Sequence, residues 1–146
     1  MSVSRPEPWL DKALDLFSDL LERIGNGSDS PMALWIELHL ALEDAYREVP
    51  INEGLIRRIY DYAAWCMRQP ESESADTDLS TAVAVAFIEN LPLDMRVAAD
   101  LYRWLSMETF EGCEGLFRYH LSDAEYGRLR EDFLSRKKSY EGPSHF

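Results

Sequence analysis

The sequence predicts an all-α protein, a compact irregular bundle of six or seven helices, on three observations. Apolar residues recur at spacings of three and four along nearly the whole chain, the period of a helix with one buried face. Start signals stand just ahead of those stretches: Ser30-Pro31, Asn52, and Ser122-Asp-Ala-Glu125. Each offers a side-chain oxygen to the N–H groups that a first helical turn leaves free. The only stretch open to a strand reading, around Val83 and Val85, has no partner strand to pair with. A short stack of helical hairpins is the second architecture, and the lack of a fixed internal period argues against it.

The first stripe is Trp9, Leu10, Ala13, Leu14, Phe17, Leu20, Leu21 and Ile24, with Asp11, Asp15, Asp19 and Glu22 off it. It predicts one amphipathic helix of about 16 residues, ended by Gly25-Asn-Gly27, whose glycines tolerate a left-handed helix end. A second helix opens at Ser30-Pro31 and runs to about Glu48, before Pro50. Its face of Leu34, Trp35, Leu38, Ala41, Leu42, Ala45 and Val49 is widened by Ile36 and Leu40, so it is expected at the centre. The third is capped by Asn52, with Ile51 and Ile56 placed as a hydrophobic staple, and presents Leu55, Ile56, Ile59, Tyr60, Ala63, Cys66 and Met67.

The polar, acidic run Gln69 to Asp78 reads as a solvated loop. A fourth helix, capped by Asp76 or Asp78, carries Leu79, Ala82, Val83, Ala86, Phe87 and Asn90 and ends at Pro92. A fifth begins near Asp94 and faces Val97, Ala98, Leu101, Trp104 and Leu105 inward. Gly112 and Gly115 break residues 106–115 into short turns. The capping box Ser122/Glu125 opens a last helix through Tyr126, Leu129 and Phe133, and the tail from about residue 140 is expected to fray. Residues 1–146 thus read as a single helical domain, a length that suits one core.

The formal charge is −12, from 27 acids against 15 Lys and Arg. Residues 1–50 carry net −6, 51–100 net −5, and 101–146 net −1. Five bases of the last segment, Arg128, Arg130, Arg136, Lys137 and Lys138, fall on one candidate helix near the C-terminus. A basic end suits a helix C-terminus, where the peptide dipoles favour cations. A field this negative repels phosphate backbones, so no nucleic-acid partner is expected. No apolar run approaches the roughly 20 residues of a membrane span, and the N-terminus has no apolar stretch of a secretory signal. Two cysteines, Cys66 and Cys113, are too few for a disulfide framework and read as small buried hydrophobes in a reduced, cytoplasmic protein.

Catalytic and metal-binding patterns are sparse. His39 and Glu43 stand four apart on the second helix and read as a solvated pair. Three histidines and no Cys-x-x-Cys make a metal centre hard to assemble. Cys113 and His120, seven apart on a helix, would sit about 10 Å apart, beyond hydrogen-bond reach. No phosphate-cradling loop or nucleophile elbow is present. No catalytic, cofactor or metal residue is therefore assigned.

Aromatic residues are abundant and mostly expected in the core. Tyr62 falls off the stripe assigned to its helix, beside Arg58. Together Arg58 and Tyr62 are the one candidate partner-binding patch, since arginine and tyrosine are enriched at interface hot spots. Arg57 is placed to pair with Glu53 or Asp61. On the same reading Trp65 borders the core.

The runs Leu55-Ile-Arg-Arg-Ile-Tyr-Asp-Tyr-Ala-Ala-Trp-Cys66, Ala82-Val-Ala-Val-Ala-Phe-Ile-Glu-Asn-Leu-Pro92 and Leu116-Phe-Arg-Tyr-His-Leu-Ser122 resemble a group of small bacterial helical proteins of unknown function. The resemblance spans roughly residues 34–135 and rests on core aromatics, so it implies a helical fold and no activity. The function expected is a non-enzymatic domain acting through an unidentified protein partner. A small acidic inhibitor of the immunity type, facing a basic partner, is one concrete form. The alternative is a small-molecule or metal-dependent enzyme using helix-borne carboxylates.

Overall fold

The computed structural model describes residues 7–70 and 78–146, and among these no residue lies in a strand. The helices are α1 (Pro8–Leu16), α2 (Leu21–Asn26), α3 (Pro31–Arg47), α4 (Glu53–Met67), α5 (Leu79–Ala82), α6 (Met95–Trp104), α7 (Met107–Gly112), α8 (Glu114–Phe117) and α9 (Asp123–Lys138). A 3₁₀ turn, Ser18–Leu20, joins α1 to α2. A π-helical turn, Val83–Phe87, and a 3₁₀ segment, Ile88–Leu93, follow α5. The helices exceed the six or seven expected because the first predicted helix is broken into α1 and α2 and the turns expected around Gly112 and Gly115 form two short helices, α7 and α8.

The caps lie where the sequence places them. Ser30 Oγ accepts the Ala33 N–H at 3.1 Å, with Pro31 at the first helical position. Asn52 accepts from Leu55, and Asp94 from both Arg96 and Val97. Ser122 and Glu125 exchange both bonds of the capping box. Asp78 caps α5; the other candidate, Asp76, and residues 71–77 of the acidic loop lie outside the described residues.

The single helix predicted from Trp9 to Ile24 is not continuous. It breaks at Phe17, whose φ of −122° and ψ of 44° leave the helical region while its ring enters the core against Tyr62. The Arg58 guanidinium holds the break from outside. Its Nη1 donates to the Leu16 carbonyl at 2.8 Å and to Asp19 at 2.7 Å, and Nη2 donates to the other Asp19 oxygen at 3.0 Å. Gly27 is needed for a different reason from the one expected. No glycine among the described residues has positive φ, but a Cβ on Gly27 would stand 2.6 Å from Leu34 Cα, so its bare backbone lets the end of α2 rest on α3.

A chain of rings crosses the core. Trp65 stacks on Tyr62, Tyr62 on Trp35, Trp35 tilts onto Phe87 at 4.8 Å, Phe87 meets Tyr60 edge-on, and Tyr60 stacks on Trp104 at 5.4 Å. The predicted exposure of Tyr62 is thereby corrected. Leu55, Ile59, Tyr62 and Cys66 are themselves spaced as one helical stripe, so α4 buries two faces, one against α1 and one against α3 and the π-helical turn. The Tyr62 hydroxyl donates to the Trp9 carbonyl at 2.7 Å. Trp65, expected to border the core, lies at its margin, half-buried and covered by the Lys12 ammonium.

The tail, expected to fray, is placed against the end of α6. His145 and Phe146 N–H groups donate to the Trp104 carbonyl, Ser106 N–H donates to Phe146, and the His145 ring lies over Trp104. Lys137 secures this corner. Its ammonium donates to the Tyr102 and Leu105 carbonyls at the end of α6 and to Ser144 Oγ. Lys137, at the basic end of α9, thus serves the terminus of a neighbouring helix.

Two outcomes check this packing. Tyr62→Ala should cost about 3–5 kcal/mol in denaturant unfolding, as large aromatic truncations in cores do, and more than Trp65→Ala, with Arg58→Ala costing about 1 kcal/mol for its lost hydrogen bonds. A larger loss for Trp65→Ala would place α4 in the opposite orientation. Lys137→Met should speed amide exchange at Ser106, His145 and Phe146 while leaving that at α3 unchanged; unaltered exchange at all three amides would show the tail held without it.

Candidate functional site

The α3 helix is apolar on two faces, and only one is covered. Leu34, Trp35, Leu38, Ala41, Leu42 and Ala45 are buried in the core. Met32, Ile36 and Leu40 recur every four residues along another side, forming a ridge about 12 Å long. The sequence reading expected this widened face to make α3 central, and α3 does pack on α2, α4, α5, α6 and the π-helical turn, but nothing described covers this side. Ile36 is 51 % and Leu40 45 % exposed.

A second wall faces this ridge. It is built by the π-helical turn and the 3₁₀ segment after it, from Val85, Ala86, Asn90 and Leu93. A π turn takes one more residue per hydrogen-bonded ring than an α turn and so re-aims the side chains that follow. Here Phe87 goes in between Trp35 and Tyr60, while Val85 and Leu93 remain 43 % and 55 % exposed. Asn90 Nδ2 donates to the Val85 and Ala86 carbonyls where the pitch changes. The space between the walls is an open groove of about 530 Å³ lined by Met32, Ile36, His39, Leu40, Glu43, Val85, Ala86, Asn90 and Leu93. Its size falls among small-molecule and peptide sites, and its composition is theirs: apolar walls with a few polar groups.

His39 and Glu43 are those polar groups, together with Asn90. The pair is therefore not the solvated surface pair predicted. The His39 side chain is only 14 % exposed, lies edge-on to Phe87, and has a buried Nδ1 with no hydrogen-bond partner among the described residues. Its Nε2 stands 3.6 Å from Glu43 Oε1, too far for a good hydrogen bond. Burial lowers the His39 pKa from its ordinary value, against the opposing pull of the Glu43 and Asp94 carboxylates. At neutral pH the imidazole is uncharged, so Glu43 is a carboxylate with no cation within ion-pair distance among the described residues. The neighbouring acids are matched: Glu37 and Asp44 by Arg23, and Asp94 by Arg96.

The predicted patch does not form a surface. Tyr62 is fully buried and the Arg58 guanidinium is occupied by Asp19 and Leu16, which also holds the Asp19 carboxyl below its usual range. Arg57 pairs with neither expected acid; Arg103 takes Glu53, and His145 takes Asp61. Cys66 and Cys113 are free and buried, as expected, and burial pushes their thiols up to about 12 and about 11, far from a nucleophilic thiolate at neutral pH. Neither is within hydrogen-bond distance of a histidine, His120 standing instead beside Glu89 at 3.8 Å. Among the described residues no group of three or more His, Cys, Asp and Glu is placed to hold a metal ion, and no helix is long and apolar enough to cross a membrane.

The depressed His39 pKa has a consequence for stability. Unfolded chain takes up the proton near pH 6.5, while folded chain resists it until lower pH, so this group withdraws stability as pH falls through that window. Wild type should therefore lose more thermal stability between pH 7.5 and pH 5.5 than His39→Gln does. Equal losses in the two proteins would show His39 to be solvated.

No protein-family model, curated protein or solved structure matches the chain at a significant level, so its function must be argued from the groove and its chemistry.

Proposed function

We propose that this protein is a non-enzymatic, cytoplasmic binding domain that receives another protein in the groove between α3 and the π-helical turn. One observation carries the reading: Ile36, Leu40, Val85 and Leu93 are large apolar side chains left about half exposed, side by side along the two walls of one groove. Scattered exposed apolar residues are ordinary, but a contiguous apolar groove with a polar margin marks a binding site. The unpartnered nitrogen of His39 adds a buried polar group of the kind that ordinarily has a reason to be there. The net charge of −12 supports a basic partner, because a field of that sign accelerates its approach and repels phosphate backbones. An acidic inhibitor of the immunity type fits these properties, as does membership of the small bacterial helical group that the sequence resembles.

Methyl-labelled protein titrated with small apolar fragments tests the site. Shift changes should concentrate on the methyls of Met32, Ile36, Leu40, Val85 and Leu93, and the double variant Ile36→Ser/Leu40→Ser should lose them while keeping its helical circular dichroism. Changes centred elsewhere, or persisting in the double variant, would remove the groove as the binding site.

A further inference from the structure

We propose that the groove seats the apolar face of an amphipathic helix from a partner protein, with a lysine or arginine on that helix set against Glu43. This deepens the preceding reading and rests on the groove being the binding site. Three features point to a helix. The ridge Met32–Ile36–Leu40 repeats every four residues over about 12 Å, which is two turns of an occupant lying along it. The opposite wall offers Val85 and Leu93, so the groove has two sides between which apolar side chains of one helical face can interleave. The groove is also open along its length, as the exposure of Ile36, Leu40, Val85 and Leu93 shows. A small ligand in a dedicated site has most of its surface buried, whereas an open apolar groove suits the helix-in-groove mode of recognition.

Glu43 supplies the sign of the flanking charge. It lines the groove at 25 % side-chain exposure, and its nearest base is a histidine held neutral by burial. The carboxylates around it already have arginines: Arg23 on Glu37 and Asp44, and Arg96 on Asp94. Glu43 is therefore the position where a cation from outside gains a partner without displacing one. A carboxylate at the same place on the occupant would meet Glu43 directly and would be rejected. The overall negative charge draws the same class of partner from a distance.

The probe is a fluorescein-labelled peptide of about 18 leucines and lysines in amphipathic helical order, some 27 Å when helical. It is compared with an isomer of identical composition permuted to have no apolar face, and with an amphipathic leucine–glutamate peptide. Binding is read by anisotropy with the full chain at about 0.15 M salt, where surface charges beyond roughly 8 Å are screened. The amphipathic leucine–lysine peptide should bind about tenfold or more tighter than its permuted isomer, a difference of about 1.4 kcal/mol. Glu43→Gln should weaken it roughly fivefold, as loss of a partly buried charge pair does. Glu131→Gln, an equal charge change on α9, should leave it unaltered, and Ile36→Ser/Leu40→Ser should abolish it. Equal binding of the permuted isomer, equal binding of the leucine–glutamate peptide, or indifference to Glu43→Gln would each overturn the proposal. If small apolar fragments shift the groove methyls but no peptide binds, the helical occupant is wrong and the groove reading stands. If neither binds, both fall. A dimer in sedimentation that Ile36→Asp dissociates would identify a second copy as the occupant and overturn the proposal in that way.

Discussion

Phe87 is the side chain on which the rest of the structure depends. It stands between Trp35 of α3 and Tyr60 of α4, and through them joins the Tyr62–Trp65 end of the core to Trp104 and the docked tail. Each ring pair contributes on the order of 0.5–1.5 kcal/mol beyond its buried area, so a chain of such contacts fixes the relative rotation of several helices at once. Phe87 reaches that position at the end of a π-helical turn. The same wide turn presents Val85 outward to the groove. Core and groove are thus two sides of one local departure from α-helical pitch, which is a recurrent feature of functional sites in helical proteins.

Polar groups support this arrangement at the edges. Tyr46 donates to Asp100 at 2.6 Å, the Trp104 indole donates to both, and Arg103 ties Asp100 to Glu53 on α4. Arg58 does the equivalent work at the α1 break and Lys137 at the end of α6. At the α1 break and at the end of α6 the cation satisfies backbone carbonyls that the change of chain direction leaves over. Arg58, Arg103 and Lys137 are thereby occupied within the chain, whereas Glu43, the carboxylate that lines the groove, faces only a neutral histidine.

The groove also explains an excess in the sequence. A helix apolar on every side is normally buried on every side, and α3 has more apolar surface than its own core covers. The apolar wall formed by Val85 and Leu93 is supplied by a segment whose pitch is wrong for an ordinary amphipathic helix. Both walls remain only half-covered, and burying them against an amphipathic partner would remove that apolar surface from water.

The sequence by itself determined the all-α class, the start of most helices and most of the core. Those features are local: a cap needs only its own side chain and the next turn, and a stripe needs only the period of one helix. It also showed the apolar face of α3 widened by Ile36 and Leu40, which read as a sign of central placement and not of a face left open. What only the tertiary structure decided was the orientation of α4, the break at Phe17, the docking of the tail, and the groove. Tyr62 lies on one stripe when counted from Leu55 and Ile59 and off the stripe counted from Ile56 and Ala63, and nothing within the helix chooses between them. Arg58, Lys137 and Phe87 act on residues far away in the chain, so the partners that give them their roles have no signature in local spacing. The groove is the sum of such choices: it exists because Phe87 turns in, Val85 turns out, and no other described element covers the second face of α3.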